Sequence, residues 1–227
     1  MEINRDDFSF EESLKYLDLL SSQLKDETDI PESHSMRVDE SLDNRVIKVY
    51  GTAMYIMVAN KLQGTYYFKS KQYAYNGVTN LILKILQGSK LLMRLNMQAD
   101  GGILALFDTP MKKDVEEIIN LSGQVRSINE VAMRKFRLET TNQTVSVGID
   151  YGPIYTFSSI FTGLPIRYAR VLAECQEDNV NISDDIYINL PEELRTNLFA
   201  NEGVLQSIKY HYAPLINMRM RKWVEEH

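Results

Sequence analysis

Apolar residues recur at Phe10, Leu14, Leu17, Leu20 and Leu24, the three-and-four spacing of one helix face, and Ser9 with Glu12 makes a capping box at its start. An N-terminal helix is the expectation. Positions 25–44 (KDETDIPESHSMRVDESLDN) are polar and read as a linker or a wrapped arm. From about Val49 to Ala59, Val49, Tyr50, Tyr55, Ile56 and Val58 follow with no breaker after Gly51, which predicts a strand. A long helix should then run from about Tyr66 to Leu86, with Ala74, Val78, Leu81, Ile82 and Ile85 on one stripe and Gly88 as its stop.

Leu91–Met97 and Ile103–Phe107 read as a hairpin turning through Ala99-Asp100-Gly101-Gly102. Thr109 before Pro110 suggests an N-cap, and Val115, Ile118, Ile119, Val125, Ile128, Ala132 and Phe136 give the following helix an apolar face. The rest predicts a strand at Thr144–Asp150, an extended piece at Pro153–Ile160, a short helix at Ile166–Ala173 and a strand at Asn181–Ile188. A helical turn at Pro191 and a last strand near Gln206–Tyr212 complete the chain. This order implies an α+β fold: a mainly antiparallel sheet with helices packed on one face, plus the N-terminal helix.

The chain has 227 residues, 44% of them hydrophobic, which suits one domain with an appendage. Its net charge of −6 argues against a general nucleic-acid binder. The charge is uneven, however. Between Asn44 and Ala99 stand eight Lys and Arg residues and no Asp or Glu, so the remainder carries a net −14. Cys175 alone excludes a disulfide framework, and His34, His211 and His227 are too scattered for a histidine metal cage. No apolar run is long enough to span a membrane, and the acidic start MEINRDDFSF is unlike a signal peptide, so a cytoplasmic location is expected.

Several words resemble the class III nucleotidyl cyclase catalytic domain. They are Thr52-Ala53-Met54-Tyr55-Ile56, Asp108-Thr109-Pro110, Val147-Gly148-Ile149-Asp150-Tyr151-Gly152, and the closing Ile216-Asn217 with Trp223-Val224-Glu225-Glu226. Within the class, the chain is most similar to bacterial pyrimidine cyclases of antiphage signalling, which make cyclic UMP or cyclic CMP. The resemblance implies a cyclase-like domain over 45–227, preceded by the helix and arm of 1–44.

It also implies a site built between two subunits, as a homodimer or with a cyclase-type partner, where two aspartates hold two divalent ions. Here the first-strand aspartate position falls on Met57, a poor ligand for Mg²⁺ or Mn²⁺. The hairpin aspartate position falls on Gly101, with Asp100 one residue away, and a one-residue slip turns a side chain to the other face. A bulge at Gly101-Gly102 would restore Asp100 as a metal ligand; ordinary hairpin chemistry is the alternative. The family's helix Asn and its Arg or Lys are replaced by Arg167 and Val171, with Arg170 next to the latter.

The expectation is therefore a catalytically degenerate cyclase-fold protein without a metal cofactor, binding a nucleotide, a cyclic nucleotide or a cyclase partner. Arg167, Arg170, Lys61, Lys69 and Lys71 are the candidate phosphate ligands. An active pyrimidine cyclase using Mg²⁺ or Mn²⁺ through relocated ligands, with Asp150 as one source of a carboxylate, is the second reading; a pure interaction module is the third.

Overall fold

The computed structural model describes residues 32–33, 46–60, 69–109, 111–136, 143–157, 160–205 and 207–227, without the side chains of positions 60 and 69–74. The predicted helix over Ser9–Leu24 and most of the polar arm lie outside the described residues. One piece of the arm is a two-residue strand, β1 (Glu32–Ser33), paired in parallel with Lys48 and Val49.

The centre of the fold is β2 (Ile47–Asn60), paired antiparallel over its whole length with β5 (Gln143–Phe157). On the other side of β2 lie β4 (Ile103–Phe107) and then β3 (Leu92–Met97). Beyond β5 come β7 (Val180–Ser183), β9 (Ile208–Ala213) and β8 (Asn201–Leu205), while β6 (Ile160–Thr162) extends the far end of β5. Apart from β1–β2 and β5–β7, every pairing in this sheet is antiparallel.

Alternation along β2 divides its side chains between two cores. Met54 and Ile56 enter the larger one, with Val78, Ile82 and Leu86 of α1 (Lys69–Gln87) and Val115, Ile118 and Val125 of α2 (Lys112–Phe136). Ala53 and Tyr55 point the other way, into a smaller cluster with Ala169 and Ala173 of α3 (Leu164–Cys175). Thus α1 and α2 cover one face, as their stripes anticipate, and among the described residues α3 is the helix on the opposite face. Gly148 allows this: any Cβ there would overlap the backbone of Ala169 and Ala173, so the bare strand lets the helix settle directly onto β5.

Four local readings are corrected. The strand expected over Asn181–Ile188 ends at Ser183, whose side chain accepts the Ile186 N–H and caps α4 (Asp184–Asn189). Asp184 and Asp185 in the first turn then favour helix by complementing its dipole. Thr109 is not seen as the cap of α2; its hydroxyl shares a buried 2.7 Å bond with Thr52, and the Met111 N–H donates to Asp114 at the helix start. The pieces 144–150 and 153–160 are not separate, since β5 runs unbroken through Gly152 to Phe157. The final strand starts at Ile208 and is half of a hairpin with β8, preceded by α5 (Glu192–Leu198) and followed by α6 (Met218–Glu226).

Candidate functional site

The turn between β3 and β4 decides where Asp100 goes. Gln98 N–H donates to Gly102 O at 2.8 Å, Gly101 N–H donates to Gln98 O at 3.0 Å, and Gly101 has φ +83°. This is a three-residue loop closed by a glycine in the left-handed region, a bulge that takes up one extra residue. Asp100 is consequently carried toward the face on which α3 lies. The Tyr55 hydroxyl is 2.6 and 2.8 Å from its two carboxylate oxygens, and Gly102 N–H donates to Oδ1 at 3.0 Å. A Cβ on Gly102 would overlap the Tyr55 ring, so the glycine makes room for the tyrosine.

From α3, Arg170 brings Nη2 to 2.8 Å from Asp100 Oδ2. Its guanidinium also lies 5.9 Å from the centre of the Tyr55 ring, with Glu174 a distant 3.9 Å partner. The electrostatics follow from these contacts. The Tyr55 hydroxyl first, then the Gly102 N–H and the Arg170 charge, hold the Asp100 carboxyl below the ordinary aspartate value. Burial, reinforced by Asp100, pushes the Tyr55 phenol well above the ordinary tyrosine value. Tyr55 therefore remains a donor and Asp100 an anion at neutral pH.

The remaining candidates are partly gathered here. Met57, two residues along β2 from Tyr55, packs against the same apolar cluster. Gly101 forms the loop, and the position of a Cβ on it lies 3.6 Å from the Tyr75 hydroxyl. Val171 is half-buried, while Arg167 is exposed, one helical turn before Arg170, with no side-chain partner among the described residues. Lys61 lies outside the described residues, as do the side chains of Lys69 and Lys71 in the first turn of α1. Tyr55 was not among the residues expected in the site. Period-two alternation was its available signal, because it shares a face with Met57.

A pair of divalent ions needs hard oxygen ligands from at least two points. Met57 offers a thioether, and Asp100 is already engaged by a hydroxyl, an amide and a guanidinium. This donor set does not fit the ion pair.

No family model matches the sequence, and no curated protein does either. Solved structures do match in shape. The adenylyl cyclase CyaB from P. aeruginosa superposes with a TM-score of 0.57 over 74% of this chain and 95% of its own, at 12% identity. The fold is that of a class III nucleotidyl cyclase catalytic domain. A class III adenylyl cyclase-like ATP-binding protein from Pseudomonas aeruginosa matches 93% of this chain and 48% of its own, with a TM-score of 0.59 and 14% identity. A non-canonical dimeric guanylyl cyclase domain of the RhoGC fusion protein from the aquatic fungus Blastocladiella emersonii matches 74% of this chain and 97% of its own, with a TM-score of 0.52 and 11% identity. In this cyclase fold Asp150 lies under α3, buried, with Oδ1 lacking a hydrogen-bond partner. Burial pushes its carboxyl up to about 6 against the restraining bonds of Ser183 and the Tyr151 N–H. Among the described residues no helix is long and apolar enough to cross a membrane.

Proposed function

We propose that this cyclase-fold protein binds a nucleotide without cyclising it, and that its own arginines take the place of divalent ions. The carrying observation is the Arg170 guanidinium seated 2.8 Å from Asp100. A fixed internal cation neutralises the one carboxylate that the hairpin offers, and Met57 supplies no second one. Two-metal catalysis with both ligands compromised loses orders of magnitude in rate.

Arg167 and Arg170 stand three apart on α3 and share a side of the helix. Arg167 is open to solvent, so a phosphate meets it without competition. Arg170 keeps Nη2 on Asp100, and the remaining N–H donors of its planar guanidinium are offered to a phosphate oxygen. The ATP-binding description of the Pseudomonas cyclase-like protein supports a nucleotide as the ligand class, and the dimeric fungal domain supports assembly as a homodimer or with a cyclase-type partner.

The test is calorimetric titration with UTP, CTP, ATP and GTP in EDTA and again in Mn²⁺, with chromatography for cyclic products. Binding in EDTA with no cyclic product is expected. Cyclic product from the purified chain, or binding that needs Mn²⁺, overturns the reading in favour of a cyclase. Failure of all four triphosphates to bind favours an interaction module.

A further inference from the structure

On the helical face, remote from Asp100, a cavity of about 640 Å³ opens between α2, α5 and the segment 213–218 that leads into α6. That size lies within the range of small-molecule sites, roughly 300–1,000 Å³. Its wall is held firmly. Arg126 Nη1 donates to Leu215 O at 3.3 Å, and the Asn217 N–H donates to Ser127 Oγ at 2.7 Å, so segment 213–218 is tied to α2 at two points.

Two features set this cavity apart from an incidental groove. The first is Gly123 on its α2 wall. Glycine is the poorest helix former after proline, yet it stands in the interior of a 25-residue helix. Packing does not require it there: a Cβ would meet Leu215 Cβ at 3.6 Å, an ordinary contact. The missing side chain gives the helix nothing and leaves the cavity deeper. The second is the lining, which contains no charged side chain but does contain the carboxamides of Asn120, Gln124 and Asn197. Asn120 and Asn197 are exposed and Gln124 half-buried, and among the described residues these three make no side-chain hydrogen bond. Between them, Leu194, Leu198 and Ile216 supply apolar wall.

A carboxamide presents a donor beside an acceptor, which pairs bidentately with an edge of the same kind, such as a nucleobase offers. Apolar walls suit the faces of a planar ring, and a lining without cations gives phosphate nothing to bind. We infer that this cavity binds an uncharged planar heterocycle with amide-like edges, of the nucleobase or nucleoside class, independently of the arginine site on α3.

The experiment is titration calorimetry of the full chain with uridine, cytidine, adenosine and guanosine. At least one should bind with a Kd below about 1 mM, with little dependence on salt because no ion pair forms. Gly123→Leu, which projects a branched side chain from the α2 wall into the cavity, should abolish that binding, whereas Gly123→Ala should keep the fold and most of the affinity. Gln124→Ala and Asn197→Ala should each weaken it about ten-fold, one hydrogen bond's worth. Should Gly123→Leu fail to fold, the two carboxamide variants carry the test alone. The inference is overturned if no nucleoside binds, or if binding is unchanged by the carboxamide variants or survives in a folded Gly123→Leu.

Discussion

The Tyr55 hydroxyl lies 2.6 and 2.8 Å from the two carboxylate oxygens of Asp100, 45 positions further along the chain. One phenolic proton is shared between two anionic oxygens, and Arg170 closes the same carboxylate from the opposite helix. Hairpin, central strand and α3 are thereby joined at one anion. Tyr55→Phe should destabilise the protein by about 1.5–3 kcal/mol, the value of a charge-assisted hydrogen bond. The Tyr55→Phe/Asp100→Ala double variant should cost clearly less than the sum of the single changes in urea unfolding. Strict additivity would mean the contact contributes nothing.

Gly148 is the position where α3 rests on β5, and its substitution tests that docking. Gly148→Ala places a methyl against the backbone of Ala169 and Ala173, neither of which can yield without moving the helix. A loss of about 3 kcal/mol, at the upper end of overpacking, is expected in chemical denaturation. Arg170 should shift with the helix, so triphosphate affinity should fall as well.

Asp150 sets a pH dependence opposite to that of an ion-paired carboxylate. Its folded value of about 6 exceeds the ordinary 3.8, so the native state holds the proton more tightly between them. Stability from this group is greatest below about pH 4 and declines as pH rises through 6. Asp150→Asn should therefore gain on the order of 2 kcal/mol over the parent at pH 8 and little at pH 4. Thermal melts of both proteins across that range provide the check, and parallel curves would contradict it.

Arg167→Ala should weaken triphosphate binding ten- to a hundred-fold, on the scale of a charge-assisted phosphate contact. Affinity should drop as salt rises, while EDTA should change little. An unaltered Kd for Arg167→Ala would place the phosphates elsewhere.

The cores of the regular elements are legible in the sequence, because periodicity is a local property. β2, α1, the β3–β4 hairpin and α2 appear within a few residues of where apolar spacing and turn residues put them. The short elements at the end were less so. The six residues of α4 carry an Ile-Tyr-Ile run that reads as strand, and the Ser183 cap outweighed it.

The amino-acid order by itself determined that β2 presents a thioether at Met57, that no carboxylate stands between Asn44 and Ala99, and that two arginines share one side of α3. Those facts need only spacing and side-chain chemistry. Tertiary structure decided what Asp100 does. Its side chain could face either way until the left-handed Gly101 bulge turned it toward Tyr55, and Arg170 reaches it only because α3 lies on the face that Gly148 leaves bare. Gly101-Gly102 permits that bulge, but a hairpin's register shifts by one residue at small local cost, so the glycines alone do not fix which face Asp100 takes. Contacts 45 positions away in Tyr55, and on α3 in Arg170, make the selection.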